Sequence, residues 1–229
     1  MNKKAAYALK RIFGEGMPKH DEIDIRLQQR ATDTTCHYIE QSMARVNAVD
    51  HPFKVLDISL GEVSVKDGLY LEFGVFGGST INYIASKVTA DVHGFDSFQG
   101  LPEFWRDGFD KGTFNRGDTL PQVGKNVVLH KGWFNETIPP FVRDHPQPIS
   151  FLHVDCDLYS STVTIFNDLA AQIIPGTVIA FDEYFNYPGW QEGEFKAFQE
   201  FTGQHNIKYN YLTYNRKNQQ VAVKILSKG

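Results

Sequence analysis

Five short apolar runs alternate with helix-patterned segments through most of this 229-residue chain, and that alternation restricts the fold more than any other feature. Strand-like runs read at 69–75, 91–95, 126–130, 150–155 and 177–181. Helical segments read at 79–88, with Ser79 as N-cap, and around 136–143 and 160–173. Strands that alternate with helices predict a parallel sheet. After a further helix at 192–205, strands at 207–214 and 220–226 flank Asn215-Arg216-Lys217-Asn218. That pair predicts a C-terminal antiparallel hairpin, for seven strands in all.

The preceding region has a different pattern. From Asp21 to Val49 the apolar residues Ile23, Leu27, Tyr38, Ile39, Met43 and Val46 recur at mixed three- and four-residue steps, with a break around Thr32-Asp33-Thr34. Residues 1–66 are therefore expected to form an N-terminal helical extension or lid, and 67–229 the α/β domain. The segment 3–13 reads as a helix packed on the domain or on a partner chain rather than on a membrane surface. A net charge of -4 and a pI near 6.1, without a basic cluster, exclude a nucleic-acid footprint. Apolar stretches such as 177–181 fall far below the roughly 20 residues of a membrane span. The basic start is interrupted by Lys10-Arg11 and does not read as a secretion signal. Cys36 and Cys156 alone make no disulfide framework, which fits a reducing cytoplasm.

The run from Leu71 to Thr80 (LEFGVFGGST) lies where the first strand turns into a helix. Its glycines let main-chain N–H groups approach a ligand. It lacks the G-x-G-x-x-G spacing of dinucleotide enzymes and carries Glu72 two residues before the first glycine, which suits a cationic ligand better than a pyrophosphate. Asp96, at the end of the second strand, is positioned to accept hydrogen bonds from ribose hydroxyls.

Acids end the later strands. Asp155 and Asp157 stand two residues apart, so both carboxylates can point the same way, and Asp182-Glu183 ends the next strand. Four carboxylates on one rim require raised pKa values, basic partners or a hard divalent cation. A Mg²⁺-type site is the favoured reading. His153, within a strand, and His205, near a helix end, read as structural.

Five ordered segments carry a resemblance: Glu72–Gly78, Phe95–Glu103, Gly132–Pro139, Val154–Thr162 and Phe181–Tyr184. Together they resemble the macrocin O-methyltransferase-like branch of the class I S-adenosylmethionine-dependent methyltransferases, which includes enzymes that methylate sugars of antibiotics. The resemblance implies a Rossmann-like fold and S-adenosylmethionine as methyl donor. It implies a donor site of Glu72, Gly74, Phe76, Gly77, Ser79, Thr80, Asp96, Ser97, Gly132, Trp133 and Asp155. It further implies Mg²⁺ on Asp155, Asp182 and Glu183, where the antibiotic-sugar enzymes carry Asp at the last position, and Asp157 as general base.

A metal-assisted O-methyl transfer to a small-molecule or sugar hydroxyl follows, with Asp155 and Asp157 as the catalytic acids. The N-terminal region and the segment 184–190 match the sugar enzymes poorly and are expected to shape the acceptor pocket. Aromatic residues crowd the presumed loops, among them Phe98, Phe104, Trp105, Phe109, Phe114, Trp133, Tyr184, Phe185, Tyr187 and Trp190. These suit either stacking on a ligand or packing on the core. Two other readings stay open: a D-x-D nucleotide-sugar glycosyltransferase, and a non-catalytic binding protein on the same fold. Assembly into a homo-oligomer is also left open.

Overall fold

The computed structural model describes residues 22–117 and 119–229. The helix expected at 3–13 lies outside the described residues. Eight strands form one sheet: β1 (Asn47–Val49), β2 (Leu69–Phe73), β3 (Val92–Asp96), β4 (Val127–Lys131), β5 (Ile149–Val154), β6 (Val178–Phe181), β7 (Lys208–Asn215) and β8 (Val221–Ser227). Their order is β1-β7-β8-β6-β5-β2-β3-β4. Only β8 runs antiparallel to its neighbours, β6 and β7. The expected seven strands and hairpin are present, and the three-residue β1 extends the sheet by pairing in parallel with β7.

Among the described residues, six α-helices accompany the sheet: α1 (Glu22–Ser42), α2 (Pro52–Gly61), α3 (Ser79–Lys87), α4 (Phe134–Asp144), α5 (Tyr159–Leu169) and α6 (Glu194–Gln204). Every residue of β5 is buried, as a strand covered on both faces requires. Leu71, Phe73, Leu152, Val154, Ile179 and Phe181 meet α4, α5 and α6 on one face. Val92, Phe151, Val178 and Ala180 meet Leu56 of α2 and Ile81 and Ile84 of α3 on the other. From β2 the chain winds outward through β3 to β4, then returns to β5 on the opposite side of β2. The carboxyl ends of β2 and β5 are thus the switch point where open α/β sheets leave a crevice.

Two local expectations need correction. First, α1 runs unbroken through 32–34, where Thr32 Oγ1 and Thr34 Oγ1 donate to the helix's own carbonyls of Gln28 and Ala31, both at 3.0 Å. Thr32 Oγ1 also lies 3.0 Å from Asn186 Oδ1, and Trp190 Nε1 donates to Thr34 Oγ1, so the same residues dock the helix. Second, Ser79 is not an N-cap: left-handed Gly78 takes that position and no side chain caps the helix. The helix α2 starts within the region expected to be helical. His51 Nδ1 accepts from Phe53 N–H and Pro52 opens the helix, a favourable first-turn residue.

Close packing at Gly94 holds α3 on the sheet. A Cβ there would come within 2.3 Å of Ile81 Cδ1 and 2.8 Å of Val75 Cγ2. Gly94→Ala is therefore expected to destabilise the protein by about 1–3 kcal/mol in urea unfolding, the usual cost of overpacking. An unchanged midpoint would mean that α3 can retreat freely.

Beside this contact, His93 lies with its Nδ1 3.1 Å from His130 Nε2 and its ring near His145 and Phe141. Burial, with the charges of His130 and His145, lowers the His93 pKa to about 4, while Asp91 opposes. The unfolded chain then binds the extra proton first, so this group's contribution to stability is intact above pH 6.5 and is lost as pH falls toward 4. His93→Phe should flatten that acid limb in thermal melts between pH 6.5 and 4 relative to the wild type.

Candidate active site

The turn after β2 depends on a close chain approach. Gly74 has φ +98°, and a Cβ on it would lie 1.7 Å from the Asp155 carbonyl oxygen, so no other residue fits between β2 and β5. Phe76 follows with φ +42°, an uncommon value for a non-glycine. Asp96 at the end of β3 holds this conformation: its Oδ2 accepts the N–H groups of Val75 at 2.9 Å and Phe76 at 2.7 Å. Its Oδ1 accepts Phe98 N–H at 2.7 Å. An ionised carboxylate offers about four acceptor sites. Asp96 thus clamps the turn and retains only limited capacity for a ligand hydroxyl.

Glu72 takes a different place from the one its position in the motif suggests. It is fully buried beneath the turn, where Thr80 Oγ1 donates to its Oε1 at 3.0 Å and His153 Nδ1 lies 2.9 Å from its Oε2. Burial raises its pKa, and the bonds to His153 and Thr80 pull it back. Glu72 supports the site from below and does not line the cavity.

That cavity, of about 1050 Å³, opens along the carboxyl rim. Gly74, Phe76, Gly77, Ser79, Thr80, Asp96, Ser97, Gly132 and Trp133 line one part of it, and Asp155, Asp157, Asp182 and Glu183 another. Gly132, at φ +148°, turns the chain from β4 into α4 beside Trp133. The opposite wall is made by Asp50, His51, Pro52 and Phe53, in the N-terminal region expected to shape the acceptor pocket though not singled out there, and by Asn215, Lys217, Asn218 and Gln220 of the β7–β8 hairpin, which sequence reasoning missed. No motif marks these residues; only the sheet order brings the hairpin beside β6. The segment expected to shape the acceptor pocket is core instead, with Tyr184, Phe185, Tyr187 and Trp190 all at most 3% exposed. Among the aromatic residues of the presumed loops, Phe114 and Trp133 line the cavity, whereas Phe98 and Phe109 are buried.

Two of the rim acids gather with a histidine. Asp155 and Asp182 extend the rows in which Glu72 pairs with His153 and His153 with Ala180. One oxygen from each and a ring nitrogen of His153 lie within 4.8 Å of one another. Glu183, expected in that group, does not join it. Its main-chain N–H donates to Glu194 Oε2 at 3.2 Å. Glu194 of α6, also missed from sequence, is wholly buried, and its Oε1 has no hydrogen-bond partner; neither has Glu183 Oε2.

Burial raises the proton affinity of Asp155, Glu183 and Glu194, and neighbouring carboxylates raise it further. Asp157, strained at φ +64°, is pushed up to about 7 by burial, against the lowering effect of Arg106. The Arg106 guanidinium lies 3.7 Å from the centroid of the Trp105 ring and 4.7 Å from that of Tyr187. Gln220 Nε2 donates to Asp182 Oδ1 at 3.0 Å. The arrangement can bind a cationic ligand, hold a divalent cation and accept a proton within one enclosure.

Residues 71–184 match a family described as a methyltransferase domain. Demethyldecarbamoylnovobiocin O-methyltransferase of Streptomyces niveus is 25% identical over 139 residues, which cover 53% of this chain and 50% of that protein. The chain thus spans about half the length of that curated relative. Among solved structures, the calicheamicin methyltransferase CalS11 superposes with a TM-score of 0.59 at 19% identity, covering 92% of this chain and 97% of that one. The O-methyltransferase NovP gives 0.54 at 22% identity, covering 76% and 79%. At these identities the likeness is one of fold, that of Rossmann-like methyltransferases.

The clamp on the turn has a consequence for the ligand-free protein. Asp96→Ala leaves three main-chain N–H groups without their acceptor and should lower unfolding stability by about 1–3 kcal/mol before any ligand is added. A residue that served a ligand alone would leave the melting temperature unchanged.

Proposed function

We propose that the chain is a class I S-adenosylmethionine-dependent methyltransferase of the macrocin-like type, which transfers a methyl group from S-adenosylmethionine to a hydroxyl oxygen of a small molecule or sugar. The observation that carries this reading is the single cavity shared by the Gly74–Gly77 turn and the acidic rim. The turn's main chain and the face of Trp133 bind the donor, whose sulfonium suits a cavity lined by carboxylates. Asp96 accepts from the ribose with the capacity its clamp leaves. Asp157 takes the acceptor proton. The acceptor oxygen then displaces the sulfur from the methyl carbon: the C–O bond forms as the C–S bond breaks, and S-adenosylhomocysteine leaves. A divalent cation held by Asp155 and Asp182 would supply positive charge that acidifies the acceptor hydroxyl. Asn215, Lys217 and Gln220 form the polar wall met by the acceptor.

The glycosyltransferase reading loses its support, since the D-x-D acids share their cavity with the methyltransferase turn. Two unpaired cysteines favour a reducing compartment, and hence the cytoplasm. No helix among the described residues is long and apolar enough to cross a membrane.

Calorimetry with S-adenosylhomocysteine and turnover assays against sugar and natural-product hydroxyls test the proposal. Asp157→Asn should lower kcat by about 100-fold or more, the scale of general-base catalysis, with donor affinity changed less than about threefold. Chelator should abolish turnover and added divalent cation restore it. Binding of a nucleotide sugar in place of S-adenosylhomocysteine would overturn the reading. Donor binding without turnover of any acceptor would favour the non-catalytic alternative.

A further inference from the structure

The rows of the sheet beneath the acidic rim set a histidine, rather than a third acid, beside Asp155 and Asp182. Glu72, His153 and Ala180 pair across β2, β5 and β6, and two residues further along the same face come Gly74, Asp155 and Asp182. A ring nitrogen of His153 and one oxygen from each aspartate lie within 4.8 Å of one another. His153 is only 2% exposed. Its Nδ1 is already engaged by the buried Glu72 carboxylate at 2.9 Å, which leaves Nε2 as the nitrogen free for a ligand. Glu183 is absent from this group, and its main-chain N–H is taken by Glu194 Oε2.

We propose that His153, Asp155 and Asp182 are the protein ligands of a divalent cation, with Glu72 orienting the imidazole, and that the site prefers a d-block cation such as Mn²⁺, Co²⁺ or Zn²⁺ over Mg²⁺. The inference rests on the metal-assisted reading of the same cavity and replaces its three-acid ligand set. Mg²⁺ favours octahedral oxygen ligands, whereas imidazole suits the transition metals. A carboxylate behind the distal nitrogen is the usual support of a metal-bound histidine, because it fixes the tautomer and raises ligand basicity. A cation on Nε2 selects the tautomer in which Nδ1–H donates to Glu72. The Gln220 amide on Asp182 Oδ1 leaves Oδ2 for the cation. Gly74 keeps the space over Asp155 clear of a side chain.

Pulsed EPR of the Mn²⁺-loaded wild-type protein reads the ligand directly, without turnover. Nitrogen modulation should be present, should shift when the protein is labelled with ¹⁵N-histidine, and should vanish in His153→Asn. That variant should bind Mn²⁺ at least about tenfold more weakly, the usual cost at a metal-supporting position. Glu183→Gln should change Mn²⁺ affinity by less than about threefold, well short of that cost. Mg²⁺ should displace bound Mn²⁺ only in large molar excess. Stoichiometric Mn²⁺ with proton couplings alone, or a nitrogen signal surviving in His153→Asn, would overturn the assignment. A tenfold loss in Glu183→Gln would restore the three-acid set. Failure of any divalent cation to bind would sink the metal-assisted reading and this inference together, while S-adenosylhomocysteine binding would still stand.

Discussion

The approach of the Gly74 main chain to Asp155 is the contact on which the rest of the site depends. With any Cβ at position 74 the carbonyl of Asp155 would be overrun, and β2 and β5 would have to part at their carboxyl ends. Those ends form the switch point of the sheet, so their spacing sets the width of the crevice. It also sets the height at which Asp155 meets the turn from Val75 to Gly78. Asp96 then determines the shape of that turn by accepting N–H groups from Val75, Phe76 and Phe98.

A second constraint is electrostatic. Asp155, Asp157, Glu183 and Glu194 are withdrawn from water within one small region, and each has its proton affinity raised by burial. An assembly of this kind is costly to the empty protein and pays for itself only when positive charge arrives. Arg106, held among aromatic rings, opposes the rise at Asp157. A sulfonium donor and a divalent cation are the charges this chemistry is suited to receive. Asp155 and Asp182 gather beside His153, while Glu194 accepts the Glu183 main-chain N–H.

Much of this was legible without coordinates. The alternation of apolar runs with helical segments determined the α/β class, and the predicted strands agree with β2 to β8 to within two residues at their ends. The turn, Asp96 and the Asp155–Asp157 and Asp182–Glu183 pairs all come from local patterns at strand ends, and all line one cavity. Less legible were contacts made by residues distant in the chain. Thr32 and Thr34 look like helix breakers until their bonds to helix carbonyls and to the 186–190 segment are seen. The rings at 184–190 resemble pocket walls until their burial is known.

Sequence by itself determined the order of elements and the chemical types at the strand ends, because periodicity and glycine spacing are properties of neighbouring residues. It did not determine which acids share a face. That choice belongs to the register of β2, β5 and β6, which pairs Glu72 with His153 across 81 positions of chain and sets Asp155 and Asp182 in the row above. Only tertiary structure decided that His153 sits among the acids, that Glu194 reaches the Glu183 main chain, and that the β7–β8 hairpin closes the far wall of the cavity. The physical reason is the period of two along a strand: each residue's face follows from the pairing of whole strands, and that pairing is a long-range property of the packed sheet.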